Sequence, residues 1–261
     1  MALSIAIGGK GGSGKTTIAS MVVRVLLERK DGGAILAVDA DPNSCFGLAL
    51  GVEPAGTVAE IREQARGRPP EAGVDRLRLV GYEMQRAITE ADGFDLLTMG
   101  RPEGPSCYCA VNNMLRQFLD KLHSQYQFVI IDNEAGMEHL SRRTTNNVDL
   151  LCIVAEPTAV GIVTAERIYE LAGALPIAVS EIGVIWNKAG AKPQCGRWLD
   201  GVQTFGCVPA DESVVNASMQ GKTVFNLEAD NPALSAVRGI VASKLGLGTP
   251  AGAKRQVTGT K

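Results

Sequence analysis

Residues 9–16 read GKGGSGKT, four glycines set around two lysines and a threonine. Glycines at 9, 11, 12 and 14 let successive backbone N–H groups turn inward around an anion, because no Cβ obstructs the loop. Lys15 adds a point charge suited to β- and γ-phosphate oxygens, and the Thr16 hydroxyl is an oxygen ligand of the kind Mg²⁺ takes. Two acidic stretches fit the same chemistry. One is Val38-Asp39-Ala40-Asp41-Pro42-Asn43; the other is Asp132-Asn133-Glu134-Ala135-Gly136, which follows the apolar residues 128–131. Carboxylates belong beside a polyphosphate because phosphoryl transfer is mostly positioning and charge neutralisation. Taken alone, aspartates at a strand end also describe an ordinary turn. A third group is soft: Cys107 and Cys109, in Arg101-Pro102-Glu103-Gly104-Pro105-Ser106-Cys107-Tyr108-Cys109, offer two sulfurs to one metal ion.

The elements around these residues must hold them in place. An apolar run, residues 3–8, enters the glycine loop, and Lys15, Thr16 and Thr17 open a helix with Ile18, Met21, Val22, Val25 and Leu26 at helical spacing. Strand, loop and helix in that order are the context that makes the motif a P-loop, with Ser13 inside it and the helix N-terminus adding partial positive charge. Further β-branched or apolar runs, at 34–39, 94–100, 128–132, 150–156, 182–187 and more briefly 204–209, alternate with helical stretches. Such runs predict an α/β fold, a mainly parallel sheet with helices on both faces, whose ligands bind at the carboxyl ends of the strands. The cysteine pair precedes Val111, Met114, Leu115, Phe118, Leu119 and Leu122, an amphipathic helix, and a helix N-terminus favours the thiolate that binds metal.

The expected organisation is one domain over residues 1–246 with a tail over 247–261 poor in apolar residues. Within it lie a charged, helix-prone insertion at 57–92 and the cysteine loop with its helix at 101–123. The insertion carries six arginines, at 62, 66, 68, 76, 78 and 86; it reads as a solvated helical face, with a recognition surface as the alternative.

The chain has 261 residues, 45% of them hydrophobic, and Lys plus Arg number 26 against 28 Asp plus Glu. A net charge of −2 supplies no global field for nucleic acid or anionic lipid, so neither is an expected partner. No secretory signal pattern opens the chain, and no stretch reaches the roughly 20 apolar residues of a membrane span. A cytoplasmic location is expected, and there the six cysteines read as thiols or metal ligands rather than disulfides.

Lys10, at the loop's second position, goes beyond what a P-loop needs, and with it the sequence resembles the deviant Walker A family. That family holds septum-positioning and plasmid-partition ATPases, the nitrogenase iron protein, and ATPases that load metal into enzymes. The resemblance implies ATP as ligand and a homodimer in which Lys10 reaches the partner's phosphates, making hydrolysis depend on dimerisation. It implies a switch I at 38–43, with Asp41 acting on the attacking water and Asp39 near Mg²⁺. It also implies a switch II at 132–136, with Asp132 holding Mg²⁺ through water, Glu134 within it and the Gly136 amide sensing the γ-phosphate. Asn187, Pro209 and Asp211 match the family's adenine contacts.

Three strings, GRPEGPSCYCAVNNMLR, DADPNSCFG and DNEAGMEHLSRRTT, narrow the likeness to nickel-inserting ATPases that mature carbon monoxide dehydrogenase. The implied function is an ATP-hydrolysing, Mg²⁺-dependent metallochaperone acting on apo carbon monoxide dehydrogenase. Two sulfurs do not complete a tetrahedral site, and two-fold symmetry would supply the other two if the pair lies on the dimer axis. Ni²⁺ is then the expected ion, with Zn²⁺ possible at the same site. A positioning ATPase and an iron–sulfur electron-transfer ATPase are the alternatives. His139 and Cys45 are secondary candidates, each more simply structural. Cys152 and Cys207 read as core, and Cys195 stands in a loop without a companion.

Overall fold

Strands form where β-branched and apolar residues run without polar alternation, the pattern of a sheet covered on both faces. In the computed structural model this sequence forms β1 (Leu3–Gly9), α1 (Lys15–Leu27), β2 (Ile35–Ala40), α2 (Cys45–Leu50), α3 (Val58–Gly67), β3 (Ile88–Glu90) and β4 (Asp95–Thr98). Then follow β5 (Phe128–Asn133), β6 (Asn147–Ala155), α4 (Ala159–Ala174), β7 (Ala178–Ala189), β8 (Gln203–Pro209), α5 (Glu212–Met219) and α6 (Pro232–Lys244). The structure describes residues 2–29, 33–67, 82, 84–101, 117–119, 122, 125–135, 147–174, 178–190, 199 and 201–245.

Among the described residues one sheet of eight strands runs β3-β4-β2-β5-β1-β6-β7-β8, parallel except for the β3–β4 pair. Every residue of β2 and β5 is buried, which is why those runs do not alternate. One face packs Ile7, Met21, Phe46, Leu96 and Leu234 under α1 and α6; the other packs Leu97, Met99, Phe118, Leu119, Ile168 and Trp186 beneath α4 and the helical residues 117–119.

Register places the chemistry. Ile7 stands opposite Asp132, Asp132 opposite Asp39, and Asp39 opposite Thr98. Paired residues share a face, so the two acids arrive side by side at the carboxyl ends of β5 and β2, next to the strand that enters the loop. The far end of α1 is tied down as well. Arg24 donates to Val224 O and to Leu227 O at 2.9 Å, while Glu28 accepts from Arg24 at 3.0 Å and from Arg238 of α6 at 2.8 Å.

Each expected strand is present, and β7 begins four residues earlier than expected. Two expectations need correction. Residues 88–90, inside the stretch read as helical, form an antiparallel edge strand; three residues are too few for periodicity to register, and the pairing with β4 decides their state. Cys207, read as a core thiol, is disulfide-bonded, whereas Cys45 and Cys152 are free. Which cysteines approach one another is settled by the tertiary fold and not by spacing. Burial pushes the Cys152 thiol up to about 12, so it stays protonated in the core. The tail, Cys195 and most of the cysteine loop and its helix lie outside the described residues, and no described helix is long and apolar enough to cross a membrane.

The turn out of β1 depends on Gly9, which has φ 151° and lies so close to β6 that a Cβ would stand 2.3 Å from Val154 O. Backbone in a central sheet cannot retreat, so Gly9→Ala should cost about 2 kcal/mol or more. In thermal unfolding that is a fall of roughly 4–8 °C. An unchanged melting temperature would show that the loop does not depend on this close approach.

Candidate functional site

The phosphate loop joins two rigid elements, the end of β1 and the start of α1. Helix α1 begins after Gly14, which has a left-handed φ of 94° and, being glycine, no side chain to cap it, and its first turn has no acidic residue. An uncapped helix start with its dipole unopposed suits an anion. The left-handed φ is what requires glycine at 14, and a Cβ there, 2.3 Å from Asn187 Nδ2, would also push that amide off the loop. That amide donates to Ser13 O at 2.8 Å, so Asn187, expected at the adenine, also grips the loop itself. Lys15 is buried, with Nζ 3.4 Å from Lys10 O, whereas Lys10, Gly11 and Gly12 are exposed at the loop's tip.

The acids form the second half. Thr16 donates its hydroxyl to Asp132 Oδ2 at 2.6 Å, bringing the expected Mg²⁺ ligand and the expected Mg²⁺ acid into direct contact. Asp39 accepts from Phe46 N at 2.8 Å and from Asp41 N at 3.2 Å, which folds the segment after β2 back over the strand end. Asp41 accepts from the backbone and side chain of Asn43 at 2.8 and 2.9 Å, closing a turn in which Ser44 adopts a left-handed φ of 52°.

Burial drives the electrostatics. It raises Asp132 to about 7, against the Thr16 hydroxyl and Lys15, with Asp39 adding repulsion; it raises Asp39 to about 6, against the Phe46 and Asp41 amides. Two carboxylates so placed form a site short of positive charge. Asp132 Oδ1 is buried with no hydrogen-bond partner. A hard divalent cation beside Thr16 and Asp132 would satisfy that oxygen and supply the missing charge, so these residues fit Mg²⁺.

The remaining expectations divide. Thr17 follows Thr16 in α1, and Glu134 follows the end of β5; Gly136, His139, Cys107 and Cys109 lie outside the described residues. Pro209 ends β8, and Asp211 caps α5, accepting from Ser213 N at 2.9 Å and from Asn231 at 2.9 Å, bonds that outweigh burial and lower its carboxyl. Cys45 is exposed beside the acids, and burial, then Asp39, Asp41 and Asp132, push its thiol up. Among the described residues no three His, Cys, Asp or Glu side chains gather as a metal site. Sequence reasoning missed Lys188, which donates to Gly12 O of the loop, and Glu156, which accepts from Lys188, because only the fold brings residues 12, 156 and 188 together.

The raised carboxyls have a consequence for pH. A native group that holds its proton above the unfolded value stabilises the fold at low pH and loses that contribution as pH rises through its folded pKa. The nucleotide-free protein should therefore melt at falling temperature as pH rises from about 4, where the unfolded carboxyls ionise, to about 7, where the native ones have lost their protons, and Asp132→Asn should flatten the fall and be the more stable form at the alkaline end. Parallel profiles for the two proteins would remove Asp132 as the cause.

Comparison with known proteins agrees with this geometry. Residues 4–224 match the model of the CobQ/CobB/MinD/ParA nucleotide binding domain. An uncharacterised ATP-binding protein of Methanocaldococcus jannaschii is 40% identical over 238 residues, covering 87% of this chain and 92% of that protein. Carbon monoxide dehydrogenase accessory protein CooC of Rhodospirillum rubrum is 32% identical over 242 residues, covering 86% and 90%. In fold, the cell division ATPase MinD of Pyrococcus furiosus superposes with a TM-score of 0.69 at 19% identity, over 94% of this chain and 99% of that one. With a buried acid pair facing an uncapped phosphate loop, and with matches over most of its length, the chain belongs to the CobQ/CobB/MinD/ParA family of ATP-binding P-loop proteins.

Proposed function

We propose that this protein is an Mg²⁺-dependent ATPase that works as a homodimer and loads nickel into apo carbon monoxide dehydrogenase. The observation that carries the metal half of this reading is the Cys107/Cys109 pair, in a chain 32% identical to a carbon monoxide dehydrogenase accessory protein over 90% of that protein. Lys15 and the loop amides would bind the β- and γ-phosphates, with Gly9, Gly11, Gly12, Ser13, Gly14 and Thr17 shaping the cradle. Thr16 and Asp132 would hold Mg²⁺, with Asp39 beside them, and the ion would neutralise charge on the phosphate oxygens. Asp41 would orient the attacking water, and Lys10, exposed at the loop tip, is free to reach a second subunit's phosphates.

The metal would be cargo, taken by two sulfurs from each subunit at the two-fold axis. Because ATP would close the same dimer, nucleotide and metal would bind with linked affinities, and hydrolysis would release the ion to the acceptor enzyme.

Two measurements test the reading. Lys10→Ala should still bind ATP but lose turnover by about a hundredfold, the scale of a lost transition-state charge contact. Steady ATPase rates in that variant would remove the dimer-dependent mechanism. The double variant Cys107→Ser/Cys109→Ser should lose anaerobic Ni²⁺ binding at one ion per dimer and keep ATP binding. Full metal stoichiometry in the double variant, or a brown iron–sulfur chromophore in the wild type after anaerobic purification, would overturn nickel delivery.

A further inference from the structure

A loop can aim its N–H groups at a phosphate only if its carbonyls face elsewhere, and an outward carbonyl needs a donor. Two consecutive residues at the end of β7 supply those donors. Asn187 Nδ2 donates to Ser13 O at 2.8 Å, and Lys188 Nζ donates to Gly12 O at 2.8 Å. In a regular strand neighbouring side chains point to opposite faces, so both could not reach one loop. Here the β7–β8 register slips between Trp186 and Ala189, and Lys188 takes a left-handed φ of 53°. A non-glycine residue in that region carries strain of about 1 kcal/mol, accepted where the surroundings hold it.

Glu156 does the holding. Its Oε1 accepts from Lys188 Nζ at 2.6 Å, and it sits between β6 and α4. The first turn of α4 fixes it, since Thr158 N donates to Glu156 O at 2.8 Å and a Cβ on Gly161 would come within 2.0 Å of that same oxygen. The carboxylate thus keeps the Lys188 ammonium on the loop's outer side. Each peptide is planar, with its N–H opposed to its C=O, so holding the carbonyls of Gly12 and Ser13 also fixes the N–H groups of Ser13 and Gly14. Ser13 N–H closes the loop tip on Lys10 O at 3.2 Å.

We infer that Lys188, seated by Glu156, is a positioning residue for nucleotide binding: it orders the tip of the phosphate loop from outside, without touching the nucleotide. This rests on the ATP-binding site described above and adds to it a second lysine with a separate task.

Calorimetric titration of the intact protein with ATP and ADP in Mg²⁺, beside turnover kinetics, tests the inference. Lys188→Met should weaken both nucleotides by about tenfold, the scale of one lost charged hydrogen bond, with kcat within about twofold. Lys188→Arg should recover most of the affinity, and Glu156→Gln should fall between, which also covers the case of a Lys188→Met protein that does not fold. Wild-type affinity in Lys188→Met or Glu156→Gln, or a loss confined to kcat, would overturn the clamp and leave the nucleotide site standing. Failure of the wild type to bind either nucleotide would overturn the ATP reading and the clamp with it.

Discussion

Backbone N–H groups left unpaired inside a protein are costly, and a phosphate site needs several of them converging on one point. This chain meets that demand with a loop whose geometry is imposed by its neighbours. Gly9 is pressed against Val154 of β6, Gly14 against Asn187 of β7, and the carbonyls of Gly12 and Ser13 are occupied by side chains from β7. The loop's glycines confer permission to turn; the adjacent strands decide the direction. A glycine-rich segment without such neighbours would collapse onto its own hydrogen bonds and lose the concavity.

A second cost sits opposite the first. Asp39 and Asp132 are buried at the ends of adjacent strands, with carboxyls lifted by desolvation, and Asp132 keeps one oxygen unpartnered. Buried acids without a full complement of partners destabilise the empty fold, and a cation brought in with a nucleotide would relieve them. Stability given up in the empty protein thus becomes binding free energy for the charged ligand that completes the site. The arginine staple at the other end of α1, where Arg24 and Arg238 share Glu28, keeps the helix in place while its N-terminus remains uncapped.

Much of this was legible in the sequence where one local rule sufficed. The strand before Gly9 and the helix after Lys15 follow from hydrophobic period, and the sheet class follows from unbroken apolar runs between helices. The acids at 39 and 132 were legible because each ends such a run. What stayed hidden required the third dimension. Residues 88–90 are strand through their neighbour β4, and the Cys207 disulfide depends on which cysteines the fold brings together. Asp211, matched to the family's adenine contacts by resemblance, also caps a helix, a role that the Asp–x–Ser pattern allows and that shows only once the helix is in place. Lys188 and Glu156 carry no local signal, since a lysine after a strand and a glutamate before a helix are both ordinary surface residues.

The sheet order divides the site in a way that bears on how it could respond to ligand. β1 is the divide: on one side β5 and β2 present the carboxylates, and on the other β7 presents the groups that hold the loop's outer carbonyls, with Glu156 at the end of β6 behind Lys188. Charge therefore comes from one half of the sheet and loop geometry from the other. A polyphosphate with its cation would engage both, so binding would lock the segment after β2 to the start of α4 through the loop between them. Lys10 stands at the tip of that loop, exposed. Its backbone carbonyl is held by Lys15 Nζ and Ser13 N, contacts that also shape the cradle, so any use of Lys10 by a second subunit would depend on the nucleotide bound in the first.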